Sequence, residues 1–307
     1  MRSRIPGFLS RRFEFALALL DSSSPVSLGS DLDVDSLKPS CSGPKVDVTS
    51  RGFTMLFAGC VGEGLFARIN RATERVLNVN GFGTSLPKDQ VCCGALHAHA
   101  GDLEGARTLA RRNIEAFDDS ENLPIITPII TNAGGCGAML ATYGHLLADD
   151  PLFSERAHKF SSRVRDISQQ LENVKLREGA GRQSETATYD ASCHLLYGQH
   201  ATEAPLELLR AIPDLKLVPL EGAERCCGAA GIYNLLQPDM SQGVLKEKLF
   251  QVRRTGAPIL ATGNPGCQMQ IGAGARLEGI SLRVCHPVEL LDESYRRAGL
   301  YGEGDGP

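Results

Sequence analysis

What the sequence lacks excludes several classes of protein. The longest early apolar run, FALALL at residues 15–20, is far too short to span a bilayer. A net charge of −4 and the lack of a basic block argue against a nucleic-acid-binding protein. The chain also lacks a G-x-G-x-x-G turn after a strand, a Walker A loop and a G-x-S-x-G elbow. The sequence therefore predicts no nucleotide site, and we assign no catalytic residue.

Eight of the ten cysteines form two matching sets of four. In each set a lone cysteine is followed by a vicinal pair before a glycine, and then by a second lone cysteine. Matching members of the two sets lie 133, 134, 134 and 131 positions apart, which indicates an internal duplication. Cys41 lies outside both sets, and we give it no cluster role. The first set is Cys60, Cys92, Cys93 and Cys136, and the second is Cys193, Cys226, Cys227 and Cys267.

Duplicated thiols predict a thiol-based site, but several chemistries remain open. Disulfides would need an oxidising compartment, and the sequence has no convincing secretory signal. Zinc usually takes two C-x2-C pairs, and the sequence has none. Iron–sulfur clusters take four thiolates and tolerate wider spacing. A zinc-binding or metal-free scaffold, and a thiol–disulfide reductase that uses the vicinal pairs, are the alternatives. We interpret the histidines near these cysteines as neighbours of the site rather than ligands; they are His97, His99, His194 and His286.

Alternating apolar strands and helices predict an α/β fold of two similar, duplicated lobes with mainly parallel sheets covered by helices. We expect a basic start and flexible linker over 1–50, a first cysteine-rich domain over 51–172 and a second over 187–298. The pattern predicts strands at 54–60, 125–132, 187–193, 215–220, 258–264 and 281–285. It predicts helices at 65–78, 102–117, 138–147, 154–171, 202–211, 240–253 and 287–297. Because ligands bind beyond the carboxyl ends of parallel strands, each set of thiols should converge in one crevice.

The first residues of the chain can be interpreted either as a targeting segment or as an amphipathic helix. Residues 1–12 carry four arginines and no acidic residue, a weak likeness to a transit peptide. Phe8, Leu9, Phe13 and Leu17 lie near helical spacing. We favour the amphipathic helix, and we read residues 21–51 as a linker because they are rich in Ser, Asp and Pro.

The segments around the paired and lone cysteines resemble the CCG cysteine-rich domain family, to which a component of heterodisulfide reductase also belongs. They are most similar to the iron–sulfur subunits of glycolate oxidase (glycolate dehydrogenase). The resemblance covers about residues 55–297, and five segments occur in the family's order. These are GCV at Cys60, CCGALHAHAGD at Cys92, NAGGCGAMLATYGHLL at Cys136, CCGAAGIYNLLQPDMS at Cys226 and ATGNPGCQMQI at Cys267.

The resemblance implies that the eight cysteines bind iron–sulfur clusters of the 4Fe-4S type. It implies a partner, the FAD-containing glycolate or lactate oxidase subunit, from which this chain passes electrons toward a membrane quinone-type acceptor. A cytoplasmic location follows, with peripheral association at the inner face of the membrane as a further option.

The sequence departs from the family pattern in two respects. Ala133 and Asn264 stand where the fuller pattern has a fifth cysteine in each set, which leaves the cluster type open. The ferredoxin-like region that normally begins the glycolate subunits, with two C-x2-C-x2-C-x3-C-P runs, does not occur in these 307 residues. We therefore expect that a separate ferredoxin-like protein, or an upstream coding segment, completes the electron relay.

Overall fold

Two four-stranded parallel sheets form the centre of the protein. The computed structural model describes residues 11–23, 51–118, 123–124, 126–181 and 185–301. The first sheet has the order β2-β1-β3-β4 and the second β6-β5-β7-β8, with every described pairing parallel. The strands are β1 (Phe53–Leu56), β2 (Gly83–Ser85), β3 (Ile129–Thr131), β4 (Val164–Asp166), β5 (Thr186–Asp190), β6 (Lys216–Val218), β7 (Ile259–Thr262) and β8 (Arg283–Cys285). The predicted fold class, two duplicated α/β lobes with parallel sheets, is confirmed.

Helices connect and cover these strands. Those before and within the first lobe are α1 (Arg11–Ser23), α2 (Cys60–Leu65), α3 (Ala67–Val79), α4 (Ala95–His99), α5 (Leu103–Asp118), α6 (Gly134–Ala141), α7 (Tyr143–Leu146), α8 (Ser154–Arg163) and α9 (Ile167–Leu171). Those of the second lobe are α10 (Ala204–Arg210), α11 (Tyr233–Leu236), α12 (Pro238–Thr255), α13 (Pro265–Leu277) and α14 (Pro287–Arg297), with a π-helical turn at His194–Gly198. Among the described residues, no helix has the length and apolar character that a membrane span requires.

The helix predicted over 102–117 is α5, and its predicted cap is present. The Asp102 carboxylate accepts a hydrogen bond of 2.9 Å from the backbone N–H of Gly105. The single helix predicted over 154–171 is wrong, because β4 interrupts it. There Val164 pairs with Ile129 of β3, and Asp166 then caps α9 through the N–H of Ser168 at 2.8 Å.

The predicted N-terminal helix is present as α1, but a different face is buried. Phe15, Ala18 and Leu19 are buried, whereas Phe13 and Leu17 are exposed. Helix α1 packs on α13, and the Ser22 hydroxyl donates a hydrogen bond of 3.1 Å to the Met269 carbonyl. The linker predicted from residue 21 is therefore wrong for residues 21–23, which are helical. Phe8, Leu9, Cys41 and residues 24–50 lie outside the described residues.

The two lobes share one hydrophobic core, built largely between α3 and α14. Val76 and Tyr295 are fully buried in it. At its edge the Arg75 guanidinium donates two hydrogen bonds, of 2.9 and 2.8 Å, to the Asp292 carboxylate. Arg68 forms a second ion pair across the lobes with Glu289 at 2.8 Å. This packing fixes how the carboxyl ends of the two sheets face one another.

A buried histidine at the start of α14 gives the fold a predictable response to acid. His286 Nδ1 accepts a hydrogen bond of 3.0 Å from the Val288 N–H, so the ring must be neutral. Burial lowers the pKa of His286 from 6.5 to about 3. The unfolded chain therefore takes up a proton at this residue in a range where the folded chain does not. The contribution of His286 to the free energy of unfolding is therefore complete above about pH 6.5 and is lost as the pH falls toward about 3.

We expect His286 to account for about 2 kcal/mol of stability lost between about pH 6.5 and 4.5. Urea unfolding of the metal-free protein at several pH values measures this loss. The matched variant is His286→Asn, because asparagine also caps helices but does not titrate. Asp166, whose pKa burial raises to about 6, contributes equally to both proteins and cancels in the difference. Identical pH slopes for the two proteins would contradict the expectation.

Candidate metal centre

The four lone cysteines lie where strands give way to helical turns. Cys60 begins α2 after β1, and Cys136 lies in the first turn of α6 after β3. In the second lobe, Cys193 directly precedes the π-helical turn after β5, and Cys267 lies in the first turn of α13 after β7. These positions agree with the strand-end placement inferred from the sequence. Backbone N–H groups without helical acceptors are available in such first turns, and they favour a thiolate.

Each vicinal pair is followed by a glycine that takes a left-handed backbone conformation. Gly94 has φ of 85° and Gly228 has φ of 91°. A Cβ at position 228 would lie 2.6 Å from the backbone oxygen of Ser241 in α12. A Cβ at position 94 would lie 3.3 Å from Cα of Ala106 in α5. The glycines therefore let each cysteine turn approach the long helix of its lobe closely.

The thiols of each set meet in the same pattern. In the first set, Cys60 Sγ lies 3.4 Å from Cys92 Sγ, and the free thiol of Cys93 is hydrogen-bonded to that of Cys136. In the second set, the free thiol of Cys193 is hydrogen-bonded to that of Cys226, and Cys227 Sγ lies 3.0 Å from Cys267 Sγ. Each lone cysteine thus contacts one member of the vicinal pair. The structure brings together all the residues of each predicted set.

In each set, the first cysteine of the vicinal pair is the group best suited to ionise. Hydrogen bonds from the Cys60 and Cys93 thiols, and from the Gly94 N–H, lower the pKa of Cys92. Bonds from Cys193, Cys227 and the Gly228 N–H lower the pKa of Cys226 in the same way. The pKa of Cys60 and of Cys193 is raised, chiefly because their thiols donate these hydrogen bonds. Each set therefore contains one ready thiolate, Cys92 or Cys226, and a metal that binds there would displace the protons of the thiols that hydrogen-bond to it.

Both sets line a single cavity of about 250 Å³ between the lobes. The sequence predicted one crevice per lobe, so this common space is a new finding. The strand-to-helix turns of the two lobes touch there, since the Gly134 N–H donates a hydrogen bond of 2.9 Å to the Gly263 carbonyl. Apolar side chains complete the lining, among them Leu96, Ile232 and Leu235.

Asn264 has a role that the sequence does not reveal. By sequence it is only the residue that replaces a fifth cysteine. Its Oδ1 accepts a hydrogen bond of 3.0 Å from the Gly135 N–H, and its Nδ2 donates one of 3.5 Å to Cys267 Sγ. The side chain thus joins the first turn of α6 to a thiol of the other set. Ala133, the matching residue, has no polar side chain, so the link is made from the second lobe alone.

The four histidines near the cysteines divide into two groups. His99 and His194 line the cavity from opposite lobes, with ring centroids 5.8 Å apart. Burial lowers the pKa of His194, which favours its neutral form. His97 instead pairs with Asp102 at the surface, at 2.8 Å, and His286 caps α14. The sequence could not separate these cases, because all four follow a cysteine closely.

The donor set fits a cofactor that binds thiolates. Among the residues that the structure describes, the cavity lining contains eight cysteines and two histidines but no carboxylate, which suits iron–sulfur clusters or zinc better than a hard cation. Within the described ranges, no group of three or more His, Cys, Asp or Glu side chains is arranged to hold one metal ion.

Comparison with known proteins agrees with this geometry. The model of the Cysteine-rich domain family, CCG, matches residues 54–141 and 187–272. The chain is 39% identical over 242 residues to the probable glycolate oxidase iron-sulfur subunit of Bacillus subtilis, covering 78% of this chain and 54% of that protein. It therefore spans about half the length of that relative. It is 32% identical over 238 residues to lactate utilization protein A of Shouchella clausii, covering 77% of this chain and 97% of that protein.

A further relative, lactate utilization protein A of an Exiguobacterium species, is 30% identical over 244 residues, covering 79% of this chain and 98% of that protein. Each segment that the family model matches contains one complete set of four cysteines. The resemblance inferred from the motifs is thus confirmed, and the chain belongs to the CCG cysteine-rich domain family.

Proposed function

We propose that this chain is the iron–sulfur electron-transfer subunit of a 2-hydroxyacid oxidoreductase complex that acts on glycolate. The observation that carries the proposal is the single cavity lined by both matched sets of four cysteines. Oxidation of the hydroxyacid would take place on an FAD-containing partner subunit. This chain would pass the electrons toward a membrane quinone-type acceptor, at the cytoplasmic face of the membrane. Relatives named as a glycolate oxidase subunit and as lactate utilization proteins support this assignment.

The proposed ligands are the eight cysteines, one set in each of the domains 51–172 and 187–298. An iron–sulfur cluster, when bound, supplies one-electron transfer. Cys92 and Cys226 would bind first, because they are the ready thiolates of their sets. Backbone N–H groups in the first turns of α2, α6 and α13 can donate to sulfur, which raises the reduction potential of a cluster. The apolar side chains of the cavity would limit the access of water.

Metal and sulfide analysis of the full chain tests this proposal. After anaerobic purification or reconstitution, we expect iron and acid-labile sulfide in about equal amounts, with visible absorption that dithionite bleaches. If the protein contains zinc but no acid-labile sulfide, it is a zinc-binding scaffold and the proposed electron-transfer function is wrong. A metal-free protein that cycles between thiols and a disulfide would replace it by the reductase function. Glycolate-dependent reduction of a quinone, measured with the flavin subunit added, then tests the direction of electron flow.

A further inference from the structure

The vicinal cysteine turns of the two lobes rest on different buried side chains. Helices α5 and α12 occupy equivalent places, since Ala106 and Ser241 lie beneath Gly94 and Gly228 respectively. Seven residues further along these helices lie Asn113 and Lys248 respectively. Both side chains are buried and point toward the segment that carries the vicinal cysteines. The two lobes therefore support the segment that carries the vicinal cysteines with different side chains.

The first lobe uses neutral groups. Asn113 Oδ1 accepts a hydrogen bond of 2.8 Å from the Val91 N–H, and its Nδ2 donates one of 3.0 Å to the Cys92 carbonyl. The Asn113 amide also donates to the Tyr143 hydroxyl, which in turn donates a bond of 2.8 Å to the Cys93 carbonyl. The backbone of both vicinal cysteines is thus held without any charge.

The second lobe uses a buried ion pair. Lys248 Nζ lies 2.7 Å from Asp190 Oδ1, and the two side chains are 2% and 1% exposed. The ammonium also donates hydrogen bonds of 2.9 and 3.0 Å to the carbonyls of Gly222 and Ala223, just before Cys226. The other carboxylate oxygen of Asp190 accepts a bond of 2.9 Å from the Thr262 hydroxyl. The pair therefore ties the segment before Cys226 to the ends of β5 and β7.

This ion pair has no counterpart among the described residues of the first lobe. Met55 pairs with Ile129 in the first sheet, as Thr188 pairs with Leu260 in the second. Phe57 lies two residues after Met55, and Asp190 lies two residues after Thr188. In the first lobe a buried aromatic ring therefore takes the place of the carboxylate. Burying two charges carries a large desolvation cost that an apolar or neutral solution avoids. A stabilising role alone therefore does not explain the pair.

We propose that Lys248, held in place by Asp190, is a positioning residue for Cys226 and Cys227, and that this pair makes the second thiol site electrostatically different from the first. Lys248 and Cys226 line the same small cavity, and the Lys248 ammonium binds the two carbonyls just before the cysteine turn, so the ion pair lies beside the second site. The positioning part concerns the protein alone. The electrostatic part rests on the proposed function, since it concerns a bound cluster.

Cysteine alkylation of the reduced, metal-free chain tests the positioning part. The variant is Asp190→Leu/Lys248→Met, because replacing both members of a buried pair leaves no unpaired charge and preserves folding better than a single change. Mass spectrometry gives the rate of iodoacetamide reaction at each cysteine. We expect Cys226 and Cys227 to react about tenfold faster in this variant than in the parent chain. The reason is that the two hydrogen bonds from Lys248 to backbone carbonyls are lost, so the cysteine turn opens more often. Cys92 and Cys93 should keep their rates.

The first lobe supplies the matched control. Asn113→Leu should produce the mirror result, with faster alkylation of Cys92 and Cys93 and no change at Cys226 and Cys227. A general loosening of the fold would raise all four rates together, and that outcome would overturn the positioning role. Unchanged rates at Cys226 and Cys227 in the double variant would overturn it as well.

A redox titration of the loaded chain tests the electrostatic part. Asp190→Asn removes the negative charge while the Lys248 ammonium keeps its acceptors at Gly222 and Ala223. The added net positive charge should raise the midpoint potential of the second site and leave that of the first site unchanged, as followed by electron paramagnetic resonance. Equal potentials in variant and parent would overturn this part. A parent chain that binds no cluster would refute the proposed function instead, while the alkylation result would stand.

Discussion

Replacing Cys226 and Cys227 together by serine is expected to remove about half of the bound iron and to lower acceptor reduction by ~100-fold or more. The two residues supply the ready thiolate of the second set and the thiol that contacts Cys267 at 3.0 Å. A serine hydroxyl does not ionise near neutral pH and is a poor ligand for iron. Iron and sulfide content, and glycolate-dependent acceptor reduction with the flavin subunit, measure the two effects.

Two controls separate loss of the site from loss of the fold. Cys285→Ala removes a buried thiol at the end of β8 that does not line the cavity, so it should leave iron content and electron transfer intact. The paired serine variant should still bind the flavin subunit, because the core between α3 and α14 is unchanged. Full glycolate-dependent acceptor reduction by the paired variant would show that the second set carries no electrons.

The sequence predicts the two duplicated lobes and the convergence of the thiols within each set because their signals are local. Strands β1, β3 and β7 are short, largely apolar runs, and Cys60, Cys136 and Cys267 lie a few residues beyond their ends. Parallel sheets place the residues after neighbouring strands at one edge, so convergence within each set follows from topology. Strands β2 (GTS) and β4 (VRD) contain no apolar run, and β4 lies within a segment that the sequence predicts as one helix.

The rest depends on contacts between segments far apart in the chain. The common cavity exists because Arg75 and Asp292, with the apolar residues around them, fix the angle between the lobes. No local pattern encodes that angle. Asn264 illustrates the same limit, since its preference for a helix N-cap is visible in the sequence but its partner Gly135 in the other lobe is not. The pairing of Lys248 with Asp190 likewise crosses from a helix to a strand end.

Gly228→Ala should be the most destabilising single-atom change at the candidate site, lowering the free energy of unfolding by roughly 3 kcal/mol or more. The left-handed conformation, φ of 91°, costs an alanine about 1–2 kcal/mol. The new Cβ would also lie 2.6 Å from the Ser241 backbone oxygen, so α12 or the cysteine turn must move. The Ser241 hydroxyl donates to the Gly228 carbonyl at 2.8 Å, and a shift would strain this bond too.

Gly279→Ala is the matched control for this change, because Gly279 is also left-handed, with φ of 68°, but a Cβ there meets no atom within 4 Å. It should cost only the conformational penalty of about 1–2 kcal/mol. Gly94→Ala should fall between the two, since its nearest contact would be 3.3 Å. Urea unfolding of the three metal-free variants gives the order. Equal losses in the free energy of unfolding at Gly228 and Gly279 would mean that α12 moves away from the new Cβ at no cost. Close packing beneath the vicinal cysteines would then not set the position of the thiols.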